Sequence, residues 1–142
     1  MSKIVVNTRD DLILLETSLV AAVKANGNYS TVYYINKREI LLTMPIGHID
    51  ELLKKHNNDK DKFIKLGRSF IINQRYVYRI ELQRQLLFLS DGSPADRDLV
   101  VRIGKGLLRR YKNAIVASIK ITNERIQNKN HPQKNEDNKI RP

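Results

Sequence analysis

The chain has 142 residues, enough for one domain with a real core, and 41% of them are apolar, an ordinary share for a soluble protein. It has no cysteine, which excludes disulfides and thiolate metal sites and fits a reducing compartment. Twenty-six basic residues against 15 acidic ones give a net charge of +11. Residues 121–142 hold five basic and three acidic residues, a surplus of +2, so +9 belongs to residues 1–120. Such an excess favours a polyanionic partner: DNA, RNA or an anionic membrane surface.

Lys3 to Asn7, rich in Val and Ile, reads as a first strand and Asp10-Asp11 as a turn. Leu12 to Leu15 and Leu19 to Val23 are further strands. The stretch from Leu12 to Val23 is interrupted by Glu16, Thr17 and Ser18 and is too short to cross a bilayer. No apolar signal-peptide region precedes it, so the chain is expected to be soluble and cytoplasmic. Asn26-Gly27 lies between two apolar runs and predicts a hairpin turn. Tyr29 to Ile35 is rich in β-favouring Val, Thr and Tyr, and Ile40 to Met44 is another strand after the turn at Asn36 to Glu39.

Pro45 changes the period. Ile46, Ile49, Leu52 and Leu53 recur at helical spacing, and Pro45 suits the first helical turn, where its missing donor costs nothing. The helix ends in the polar run Asn57 to Asp61. Phe63 to Leu66 and Phe70 to Asn73 flank Gly67-Arg68-Ser69, which should bend the backbone. Tyr76, Tyr78, Ile80 and Leu82 alternate with Arg79 and Glu81, and Leu86 to Leu89 pairs with that strand. Asp91-Gly92 predicts a turn, and Leu99 to Ile103 is the last strand. Leu107, Leu108, Tyr111, Ile115 and Ile119 return to helical spacing. Beyond about Thr122 the composition predicts a disordered polar tail.

No catalytic constellation is present: no Gly-x-Ser-x-Gly run occurs, and Gly104-Lys105-Gly106 lacks the spacing and hydroxyl of a phosphate-binding loop. His48, His56 and His131 are scattered without metal-ligand spacing. No enzyme activity, cofactor, metal or small-molecule substrate is expected. Instead, three tips carry cations, amides and hydroxyls. The first holds Lys24, Asn26, Asn28, Tyr29 and Ser30; the second Arg68 and Ser69, with Asn73 close by; the third Arg102 and Lys105. Arg reads guanine and Asn can read adenine, while Lys, Ser and Tyr suit phosphate. Brought to one side, these tips would form a reading surface made of loops. Each has a plainer role as well: Asn26-Gly27 turns the chain, Tyr29 packs, and Arg68 pairs with a surface acid. No segment has the form of a helix-turn-helix.

Taken together, these residues resemble the LytTR DNA-binding domain of many bacterial response regulators. The likeness covers about residues 3 to 119. It rests on Val23 to Ser30, on Thr43 to Leu53, on Phe63 to Asn73, and on Leu89 to Gly92 with Val101 to Lys105. The resemblance implies a mainly β fold: an elongated stack of short antiparallel sheets, a β-β-β sandwich, with one short internal helix and a C-terminal helix. It places a DNA-binding domain at residues 1–120 and the disordered tail at 121–142. It also implies sequence-specific binding of double-stranded DNA by loops that enter successive major grooves. Family contacts carry over to Tyr29 and its neighbours, to Arg68 and to Lys105, with Ser69 and Asn73 shaping the bend at Arg68.

The chain departs from the family pattern at Leu66-Gly67, where Ile-His is usual, and at Gly104-Lys105-Gly106, where a Ser-Arg-Arg type of ending is usual. No receiver domain precedes the likeness, so a stand-alone regulator is expected. It would be joined on DNA by a second copy on repeated sites, or controlled by a membrane-bound or sensor partner. Two other classes remain open at this point: a protein-interaction module docking on such a partner, and an RNA-binding module stacking bases on Tyr76 and Tyr78.

Overall fold

The computed structural model describes the backbone of residues 2–130 and the side chains of residues 2–119. The described residues form ten strands and two α-helices: β1 (Lys3–Asn7), β2 (Leu12–Glu16), β3 (Val20–Asn26), β4 (Tyr29–Tyr34), β5 (Glu39–Leu42), α1 (Ile46–Lys54), β6 (Phe63–Leu66), β7 (Phe70–Asn73), β8 (Val77–Glu81), β9 (Leu86–Leu89), β10 (Leu99–Arg102) and α2 (Lys105–Asn130). They build three antiparallel sheets: the ribbon β1-β2, a five-stranded sheet in the order β5-β4-β3-β7-β6, and a three-stranded sheet in the order β10-β9-β8. The mainly β class and both helices expected from the sequence are present. All ten strands and α1 lie in one compact unit that ends at Leu108; α2 from Arg109 onward belongs to a second.

β3 is the central strand of the five-stranded sheet, and its alternation sorts the interior. Val23 of β3, Val32 of β4 and Ile71 of β7 are fully buried and share one core cluster with Ile4, Val6 and Leu15 of the ribbon and Ile49 and Leu53 of α1. Each such side chain contributes roughly 1.5–3 kcal/mol by leaving water. A nine-residue helix is too short to persist on propensity alone, so this burial is what holds α1. Pro45 occupies the cap position just before α1 in extended conformation. On the opposite face of the sheet, Ala22 and Ile72 are paired and buried, and β10 lies across that side.

One expected alternation is not found. Tyr76 is buried in a 3-10 turn, Gln74–Tyr76, and its hydroxyl donates to the Ser18 carbonyl. Tyr78 is 54% exposed, and its hydroxyl donates to the Asp98 carboxylate. The 3-10 turn and a bulge between Val77 and Arg79 break the period of two, so the two tyrosines do not share a face. The second helix starts at Lys105, two residues earlier than its apolar period, and runs on through Asn130. The rest of the expected tail, residues 131–142, and His131 with it, lies outside the described residues. No helix among the described residues is long and apolar enough to cross a membrane.

Candidate nucleic-acid interface

The first tip is a two-residue loop. Asn26 pairs with Tyr29, so Gly27 and Asn28 make the turn, and of these only Gly27 has positive φ, at +66°. A hairpin with glycine first in the loop is the II′ arrangement, in which only that residue must be left-handed. The turn is therefore closed by Gly27-Asn28, one position later than the Asn26-Gly27 pair the sequence suggests. Asn26 ends the strand and donates from Nδ2 to Thr31 Oγ1 at 3.1 Å. Tyr29 is 50% exposed, so it points outward and does not pack. Lys24 and Asn28 are exposed too.

The second tip is the three-residue loop Gly67-Arg68-Ser69, closing the pair Leu66 and Phe70. Gly67 has φ +62°, and a Cβ there would lie 2.8 Å from Leu107 Cδ1. Glycine thus meets two demands at once: a left-handed backbone, and room for a leucine that covers it. The side chains of Arg68 and Ser69 are exposed.

The third place is the end of β10 and the start of α2. Arg102 is exposed, and its Nη1 donates to the Arg84 carbonyl at 3.0 Å, which fixes it to the edge of the three-stranded sheet. Lys105 is exposed in the first turn of α2.

Two contacts bring these places to one end of the five-stranded sheet. The Ala25 amide donates to the Ser69 carbonyl at 2.8 Å, which seats the second tip beside the first. Leu107 on Gly67 seats the start of α2 beside the second. The segments 24–30, 67–69 and 102–106 contain no acidic residue. The ion pairs of the described residues, Lys54–Asp50, Arg75–Asp61, Arg79–Glu81 and Arg84–Glu81, all lie elsewhere. The side chains of Lys24, Arg68 and Lys105 have no hydrogen-bond or ion-pair partner among the described residues. Their charge is left uncompensated at one end, the arrangement that attracts a polyanion. Arg68 therefore does not pair with a surface acid.

Two of the ten candidates are not on this surface. Ser30 is fully buried, and its hydroxyl donates to the Met44 carbonyl at 2.8 Å. It ties β4 to the segment before α1, and no ligand can reach it. Asn73 is fully buried at the far end of β7 from the tips. Its Nδ2 donates to the Val20 carbonyl at 2.9 Å and to Asp61 Oδ1 at 3.2 Å, and its Oδ1 accepts from the Arg75 amide at 3.2 Å. Arg75 Nη1 donates to the same Asp61 oxygen at 2.9 Å, so the group is closed on itself. Ser69 contributes its backbone carbonyl to the joint with Ala25. Sequence reasoning missed Thr31, which orients Asn26, and Leu107, read only as a helix core residue. Thr31 faces Asn26 across the hairpin, five residues away, and Leu107 lies forty residues from Gly67, beyond any local pattern. Of the histidines, His56 Nδ1 lies 3.0 Å from Ser2 Oγ, and no group of His, Asp or Glu among the described residues is placed to hold a metal ion.

The LytTr DNA-binding domain family matches residues 10–96 of the chain. The protein belongs to the LytTR family. This is a family of DNA-binding transcription regulators. The match includes the first and second tips; Arg102 and Lys105 lie beyond it. Among solved structures, the chain is similar to the LytTr DNA-binding domain of a Bacillus cereus protein described as a methyl-accepting/DNA response regulator. The TM-score is 0.54 at 19% identity, over 81% of this chain and 97% of that one. At that identity the likeness is one of fold. A comparison with curated proteins finds no match.

Proposed function

We propose that this LytTR protein regulates transcription by binding double-stranded DNA sequence-specifically, with its three tips as the reading end. The observation that carries this is the partner-free set Lys24, Arg68 and Lys105 on segments without a single acid, seated together through Ala25–Ser69 and Gly67–Leu107. Arg68, at the apex of the middle tip, reads a base edge; Lys24, Lys105 and Arg102 hold phosphates; Tyr29, Asn26 and Asn28 make the remaining contacts of the first tip. Hairpin tips of this width suit the major groove, which admits a two-stranded ribbon. The test is selection of duplexes from a random library, followed by affinity measurements on the selected and a scrambled site. Enrichment of a defined site supports specific reading. Equal affinity for both sites would reduce the protein to a non-specific DNA binder. The stoichiometry on the selected duplex reports whether a second copy joins.

A further inference from the structure

Between β10 and the outer face of the five-stranded sheet lies a cavity of about 160 Å³ that the DNA-binding reading leaves unused. It sits where β3 carries Ala22, a small residue between two packed sheets, so the two layers do not fill the space between them. Phe70, Tyr33 and Val101 wall it, and Lys24 and Arg102 line it as cations. Lys24 has no partner among the described residues, and Arg102 commits only Nη1, to the Arg84 carbonyl, from a guanidinium with five N–H donors. An apolar cavity of about 150 Å³ accepts a benzene molecule. The space, the aromatic walls and the two cations suit a compact apolar body of that size bearing one carboxylate.

We propose that this cavity binds a small aromatic or branched-chain monocarboxylate, its body against Ala22, Phe70 and Val101 and its carboxylate between Lys24 and Arg102. The same two cations are assigned above to phosphates. The occupied cavity thus withdraws them from DNA, and the ligand acts as an effector that lowers DNA affinity; this second part rests on the proposed function.

The test titrates benzoate into the whole protein without DNA and follows backbone and methyl resonances. The expected result is saturable binding with shifts confined to Ala22, Lys24, Phe70, Val101 and their neighbours. Benzyl alcohol, which lacks the charge, and acetate, which lacks the body, should each bind about tenfold more weakly or worse, the loss of one charge-assisted or one hydrophobic component. Lys24→Ala, an exposed position that should not disturb folding, should weaken benzoate about tenfold but not benzyl alcohol. Ala22→Leu should fill the cavity and abolish binding of both. Shifts scattered over surface lysines, equal binding of acetate and benzoate, or an unchanged affinity in Lys24→Ala would overturn the site. In a second arm, benzoate at saturation should weaken binding of the selected duplex. Benzoate binding with undiminished DNA affinity overturns the effector role and leaves the site standing. A protein that binds benzoate but no duplex at all overturns both that role and the proposed function, and the site still stands.

Discussion

The Ala25 amide donates to the Ser69 carbonyl at 2.8 Å, joining the first tip, two residues before its Gly27-Asn28 turn, to the last residue of the second. This bond makes the two tips one rigid piece. The Ala25 amide should therefore exchange with solvent as slowly as the Val23 amide in the middle of the sheet, while Asn28 in the loop exchanges freely. Native-state hydrogen exchange reads this directly. Loop-like exchange at Ala25 would mean that the tips move independently.

Leu107 over Gly67 makes the second tip intolerant of a side chain. Gly67→Ala should cost about 1–2 kcal/mol for its left-handed backbone alone, with more for the approach to Leu107. Urea unfolding of Gly67→Ala, Leu107→Ala and the double variant separates the two. A double variant more stable than the sum of the singles predicts isolates the contact; strict additivity would deny it.

Asn73 is expected to matter for stability and not for recognition. Asn73→Ala leaves the Val20 carbonyl without its buried donor and removes one bond from Asp61, at roughly 1–3 kcal/mol per unsatisfied group. Thermal unfolding should shift down accordingly, while DNA affinity measured well below the midpoint stays that of the parent. A loss of affinity in the folded variant would return Asn73 to the reading surface.

Tyrosines set the alkaline limit. Burial raises the Tyr33 pKa and pushes that of Tyr111 up to about 12. Burial also raises the Tyr76 pKa, against a lowering by Arg75, and the hydrogen bond to Asp98 raises that of Tyr78. All four are neutral in the fold at pH values where the unfolded chain has begun to ionise. Their stabilisation is complete below the ordinary tyrosine value of about 10 and is lost as pH rises through the higher folded values. Unfolding midpoints should fall above that pH, and less steeply in Tyr78→Phe. An identical decline in Tyr78→Phe would remove Tyr78 from the explanation.

Much of the fold was legible because its signals are local. Strand alternation, Pro45 before an apolar stripe and Gly67 at a bend each declare themselves within a few residues, and the tips could be found as turns with surplus polarity. What could not be read were the partners across the fold. Ser30 has the look of a tip residue, yet its period on β4 turns it inward to Met44. Tyr76 and Tyr78 alternate in sequence, but a 3-10 turn and a bulge separate them. The Ala25–Ser69 joint, the Leu107 cover and the cavity over Ala22 all depend on segments more than thirty residues apart, which one sequence does not relate.

Arg68 is proposed to read a base while lysines around it hold phosphates. The most direct test measures the affinity of the parent, Arg68→Ala and Lys105→Ala for selected and scrambled duplexes across a series of salt concentrations. Arg68→Ala should lose about 1–3 kcal/mol on the selected duplex and little on the scrambled one, relaxing preference at one base position. Lys105→Ala should weaken both duplexes alike and reduce the salt slope by about one. Equal losses on both duplexes for Arg68→Ala would rule out base reading by Arg68, and an affinity that does not change with salt would rule out the phosphate contacts.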